Sequence, residues 1–105
     1  MSTKKYYGVE DLEKKFGHMT LGKFLKSFRE ADDVSQVDFA RKIKVSRANL
    51  CDIEKGRKFV SPDRAKRMAN ILGVPETVLI QLVLQDQLRV AHLNYTIELK
   101  KASGV

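Results

Sequence analysis

Residues 35–56 read SQVDFARKIKVSRANLCDIEKG, and the helix signals in this stretch decide the fold. Ser35 is placed to cap a helix, and Asp38, three residues on, is placed to reach back to it as the second half of a capping box. Val34 before the cap and Phe39 after it are spaced as a hydrophobic staple. The signal repeats with Ser46 as cap and Val45 and Leu50 as staple. Two starts this close leave room for helix, turn and helix. Gly56 supplies the stop, because glycine takes the left-handed conformation at little cost. The first helix is expected over 36–43, burying Phe39, Ala40 and Ile43. The second is expected over 47–55, with Leu50 and Ile53 pointing inward and Arg47, Ala48, Cys51, Asp52 and Lys55 on the remaining faces.

Working outward, Thr20 is a good cap for a helix running to Ala31. Its Leu21, Phe24, Leu25 and Phe28 form one apolar stripe. A shorter helix is predicted over 9–16, with Val9, Leu12 and Phe16 on one face and Gly17 as its stop. Ser61-Pro62 opens another helix, with proline at the position where its missing N–H matters least. Ala65, Met68, Ala69 and Leu72 line that helix, and Gly73 ends it. A last helix is expected over 76–91. Val78, Leu79, Ile80, Leu82, Val83, Leu84, Leu88 and Val90 spread around more of its circumference than one core needs, which calls for cover from a second subunit. The tail then changes period. Leu93, Tyr95, Ile97 and Leu99 alternate with polar residues, a strand pattern with no strand before it to pair with. It is expected to pair with its own copy or to add an edge to another protein. The organisation is therefore an extension with a short helix over 1–19, a helical domain over 20–91 and a strand-like tail over 92–105.

Composition narrows the class. The chain has 105 residues, 43% of them hydrophobic, and one cysteine, Cys51. That bounds it to one small domain with tails, without an internal disulfide or a cysteine-cluster metal site. No apolar run approaches the roughly 18–20 residues of a membrane span. The opening residues lack the apolar core of a secretory signal. The formal net charge is +7, and residues 41–67 alone hold ten Lys or Arg against three acids. That surplus equals the whole net charge, so the rest of the chain balances. A basic patch over one helical hairpin and its flank points to a polyanionic partner, or else to a solvated charged face. His18 and His92 stand alone, without ligands at metal spacing. No glycine-rich phosphate loop, nucleophile elbow or paired carboxylates on one face is present, so neither an enzyme, a cofactor nor a metal is expected.

Ser-Gln-x-Asp-Phe-Ala at 35–40, Val-Ser at 45–46, Leu-x-x-Ile-Glu-x-Gly at 50–56, Ser-Pro at 61–62 and Ile-Leu-Gly-Val at 71–74 together resemble the phage repressor and Cro type of helix-turn-helix domain, the XRE family. The resemblance covers about residues 20–84. It implies an all-α, five-helix DNA-binding domain, here with an added N-terminal helix and a C-terminal strand tail. It further implies that Ser46, Arg47, Ala48 and Asp52 face the bases. Gln36, Lys44, Lys55, Arg57 and Lys58 face phosphates, and Arg29 and Glu54 form a structural pair. One position departs from the family, which usually has glycine where this chain has Lys44. A lysine there must take a positive φ or relax the turn.

The chemistry of the residues fits that assignment. Arg47 has the fork to contact guanine O6 and N7, and it is equally able to meet a phosphate or solvent. Asp52 accepts only, so it suits cytosine N4 or the orientation of Arg47. Cys51 is expected to be a small residue near that face, with thiol reactivity as the other reading. The implied function is a dimeric, sequence-specific regulator of transcription, a repressor reading an inverted repeat of duplex DNA in a bacterial or phage cytoplasm, associated with the nucleoid. The alternative is an antitoxin that also represses its own operon and masks a toxin protein. A third is a plain helical interaction module whose basic face is incidental.

Overall fold

The computed structural model describes residues 19–102. The helix expected at 9–16 lies outside the described residues. Among the described residues there are five α-helices and no strand. They are α1 Leu21–Ala31, α2 Gln36–Lys42, α3 Arg47–Glu54, α4 Pro62–Leu72 and α5 Glu76–Val90. Four start where a hydroxyl side chain accepts a backbone N–H three residues on: Thr20 from Lys23, Ser35 from Asp38, Ser46 from Asn49 and Ser61 from Arg64. Each such cap is worth about 1 kcal/mol. Asp38 does not complete the box at Ser35; its carboxylate lies 3.6 Å from Arg41 on the same helix.

The helix exits share one device. Asp33, Lys44, Gly56, Gly73 and His92 all take positive φ, and each stands just past a helix. At Lys44 (φ 64) the following Val45 N–H returns to the Ala40 carbonyl at 3.0 Å, and Lys44 N–H returns to Arg41 at 3.2 Å. This is a Schellman closure made without glycine. The turn between α2 and α3 is therefore not relaxed. Lys44 carries a left-handed backbone that costs a non-glycine residue roughly 1 kcal/mol.

Phe24, Leu25, Phe39, Ala40, Leu50, Ile53, Ala65, Met68, Leu79, Leu82 and Val83 form the buried centre. Packing joins α1 to α3 and α5, α2 to α3, and α4 to α5. Phe28 links α1 to α2, its ring centroid 6.1 Å from Phe24 and 6.3 Å from Phe39. Of the apolar residues on α5, Leu79, Leu82 and Val83 enter the core and Val90 is left 58% exposed. Asp86, on the same helix, is buried too, and its Oδ2 accepts the Leu21 N–H at 3.1 Å. Thr20 and Asp86 thus satisfy two of the donors that open α1, and the positive end of that helix dipole favours the carboxylate.

The strand expected over 93–100 is absent. After α5 closes at His92, the tail returns along the helix. There the Gln85 side chain donates to the Tyr95 carbonyl at 2.6 Å and accepts from the Ile97 N–H at 2.9 Å. The alternation is real, but a strand needs a second backbone beside it, and one copy of the chain supplies a side-chain amide instead.

Candidate nucleic-acid interface

α3 turns Leu50 and Ile53 inward, and the residues at its start are bare. Ser46, Arg47 and Ala48 are exposed, as is Lys55 at the far end. Lys44 is exposed in the turn before it. Arg57 and Lys58 are exposed in the loop after it. Helix, turn and loop therefore present five exposed cations, Lys44, Arg47, Lys55, Arg57 and Lys58.

Two of these are held by α3 itself. Arg57 Nε lies 3.3 Å from Asp52 Oδ1, and Lys58 Nζ donates to Asn49 Oδ1 at 2.6 Å. Asp52 therefore pairs with the loop after α3 and not with Arg47. Asn49 carried no functional signal in the sequence beyond its N–H at the Ser46 cap. Its partner is nine residues away, and only the return of the loop toward α3 brings the two together. Cys51 is half-buried on α3.

Beneath this surface lies a polar network joining three helices. Arg29 of α1 meets both carboxylate oxygens of Glu54, Nε to Oε2 at 2.9 Å and Nη2 to Oε1 at 3.0 Å. Arg29 also donates to the Val34 carbonyl at 3.1 Å. Gln36, the first residue of α2, donates to Glu54 Oε1 at 3.0 Å. The Arg29 and Glu54 side chains are 11% and 3% exposed, and a bidentate pair this dry is strongly directional. Its hydrogen bond to Glu54 raises the Arg29 guanidinium above its ordinary value despite burial. Burial works to raise the Glu54 carboxyl. The hydrogen bonds from Arg29 and Gln36, with the charges of Arg29 and Lys26, outweigh burial and hold it below the usual range.

Gly22 sets how closely α1 approaches α3. A side chain there would run into the Ile53 carbonyl and come within 2.9 Å of the Glu54 carbonyl. On the far side of the turn, Arg64 and Arg67 of α4 line a shallow groove with Ile43 and Lys44. This extends the positive surface around the hairpin. Arg67 is engaged by Asp63 at 2.6 Å.

Chemically, the exposed end of α3 offers hydrogen-bond donors and a small methyl surface. It is flanked on both sides by cations suited to phosphates. Among the described residues no group of His, Cys, Asp and Glu is arranged to hold a metal ion. No helix among them is long and apolar enough to cross a membrane.

A family model described as a helix-turn-helix domain, of the repressor and Cro type, matches residues 20–82. No curated protein and no solved structure matches the chain.

Proposed function

Because the chain belongs to the helix-turn-helix domain family of the repressor and Cro type, we propose that it is a sequence-specific regulator of transcription that binds duplex DNA as a dimer. The observation that carries this reading is the exposed start of α3, Ser46-Arg47-Ala48, framed by Lys44 on one side and Lys55, Arg57 and Lys58 on the other. α3 is the reading helix, with Arg47 as the leading base contact. Ala48 offers apolar contact to a thymine methyl, and Ser46 a hydroxyl. Asp52 accepts from cytosine N4 while its other side keeps Arg57 in place.

Lys44, Lys55, Arg57 and Lys58 contact phosphates. They supply affinity without sequence information. Gln36 contributes its helix-end N–H to the backbone, its side chain being engaged by Glu54. Four neutralised phosphates per subunit would give a dimer a log–log salt slope of roughly −7.

A dimer also fits the size of the molecule. The described residues measure 36 × 29 × 29 Å. A twofold pair of bodies this size has room to set its two reading helices ~34 Å apart, one turn of DNA. The residues exposed at the end of α5 and in the tail, Val90, Leu93 and Tyr95, are the apolar surface such an axis would cover.

The test is a gel shift of the DNA upstream of the protein's own gene against random duplex at near-physiological salt. Preference for the upstream DNA is expected. Equal binding to both would leave a basic helical module and remove the regulator. The antitoxin reading rests on the same apolar tail. Co-purification with the product of the neighbouring gene would select it over simple autoregulation, as a repressor of its own operon.

A further inference from the structure

We propose that residues Tyr95–Leu99 form one half of a two-stranded antiparallel ribbon whose other half is the same segment of a second copy, with the twofold axis at Ile97. The inference rests on the dimeric reading above and says which atoms make the dimer.

One edge of the segment is already filled. Gln85 takes the Tyr95 carbonyl and the Ile97 N–H with a single amide, spanning residues i and i+2 as the peptide of a parallel neighbour does. This turns the Tyr95 carbonyl and the Ile97 N–H toward α5. In an extended chain the next residue turns its N–H and C=O to the opposite edge. Thr96 and Glu98 therefore present theirs outward, and no described residue bonds them. The open edge begins at Tyr95, whose own N–H folds back to the Leu93 carbonyl at 3.1 Å in a tight turn of the kind that starts strands.

The side chains select the register. A shift that pairs odd with even residues is excluded, because the Tyr95 carbonyl and the Ile97 N–H are taken by Gln85. Among even shifts, an axis at Ile97 sets Ile97 against its copy and Tyr95 against Leu99, so every apolar residue of the segment meets another. Thr96 and Glu98 then become the pair that exchanges backbone hydrogen bonds, and Asn94 faces Lys100 with no like charges opposed. An axis at Thr96 sends Leu99 to Leu93, beyond the turn. An axis at Glu98 sets the two Glu98 carboxylates against each other and Tyr95 against Lys101. The ribbon is continuous with Val90, Leu93 and Tyr95, which are 58%, 48% and 67% exposed in one copy.

Three variants of the full chain test this without DNA, so failure of DNA binding and failure of the ribbon are separable. In a Cys51→Ser background, Ile97→Cys places two thiols at a non-hydrogen-bonded antiparallel pair. There the Cα atoms lie about 4.5 Å apart, within disulfide range. Mild oxidation is expected to convert most of the protein to a covalent dimer on a non-reducing gel, and Glu98→Cys is expected to cross-link several-fold less. Thr96→Pro removes a backbone N–H that bonds no described residue. It is expected to turn a dimer on light scattering into a monomer with unchanged helical circular dichroism. A monomeric wild-type chain at tens of micromolar, a Thr96→Pro variant that stays dimeric, or equal cross-linking at 97 and 98 would each overturn the proposal.

Discussion

The Nε2 of Gln36 donates to Oε1 of Glu54 at 3.0 Å, tying the first residue of α2 to the last residue of α3. The same oxygen receives Arg29 Nη2 from α1. The angle at which the exposed helix leaves the body is therefore set from beneath by one carboxylate with three helices on it.

Glu54→Ala is expected to destabilise the fold by about 3–5 kcal/mol, because it strands a nearly buried guanidinium. Gln36→Ala removes only a neutral donor to that carboxylate and is expected to lower stability by about 1.5–3 kcal/mol. Urea unfolding followed by circular dichroism separates the two. Equal effects would mean that the ion pair and the amide contribute alike.

Gly22→Ala is expected to be among the most damaging single changes for its size, at about 3 kcal/mol or more. The obstacle is the backbone carbonyls of Ile53 and Glu54, which cannot rotate away as a side chain can. A thermal melt within a few degrees of wild type would contradict the close approach of α1 and α3.

Lys44→Gly relieves a left-handed backbone and is expected to stabilise the protein by about 0.5–1 kcal/mol, after the entropy of a freer unfolded chain is subtracted. Lys44→Ala keeps the strain and removes only the cation. Both variants are expected to bind DNA more weakly on every sequence, with the salt slope shallower by about 1. Melting curves and salt titrations read the two effects apart.

Arg47→Ala is expected to lose about 1–3 kcal/mol of discrimination at a single base pair, whereas Lys58→Ala should weaken all duplexes evenly. Competition binding with point-substituted operators measures both. A uniform loss for Arg47→Ala would move Arg47 to the phosphate set.

Burial pushes the Asp86 carboxyl above its ordinary range, opposed in part by the Leu21 N–H and Arg89. The folded state thus holds the Asp86 proton more tightly than the unfolded chain does. Its contribution is full below the ordinary carboxylate value and is lost as pH rises through the raised one. Glu54, held low, acts with the opposite sign: its contribution is present above the ordinary value and lost as pH falls through the lowered one. Asp86→Asn is therefore expected to gain stability relative to wild type as pH rises from about 3 to 7. Denaturant midpoints at several pH values test this, and a difference independent of pH would refute it.

Much of the fold was legible because its signals are short-range. The Thr20, Ser35, Ser46 and Ser61 caps act on an N–H three residues away, and the apolar stripes recur within two turns. The resemblance to the repressor and Cro type marked Lys44 as the position where glycine is usual, and there the lysine takes a φ of 64. The tail forms no strand in one copy for the complementary reason. Alternation is a local property of the side chains, but a strand is a pair of backbones, and its neighbour in one copy is Gln85.

Periodicity and caps were enough to place five helices and to mark the exposed start of α3. They carried no information about Asp86, which looked like one more polar residue on the last helix and instead accepts a hydrogen bond from Leu21, 65 positions earlier. Nor could they bring Asn49 to Lys58, Asp52 to Arg57, or Gly22 to the end of α3. A helix is specified by neighbours within a turn of one another. Which polar atoms meet between helices depends on how the packed core orients them, and that is settled only when Leu50, Ile53 and Leu82 join one buried core in space.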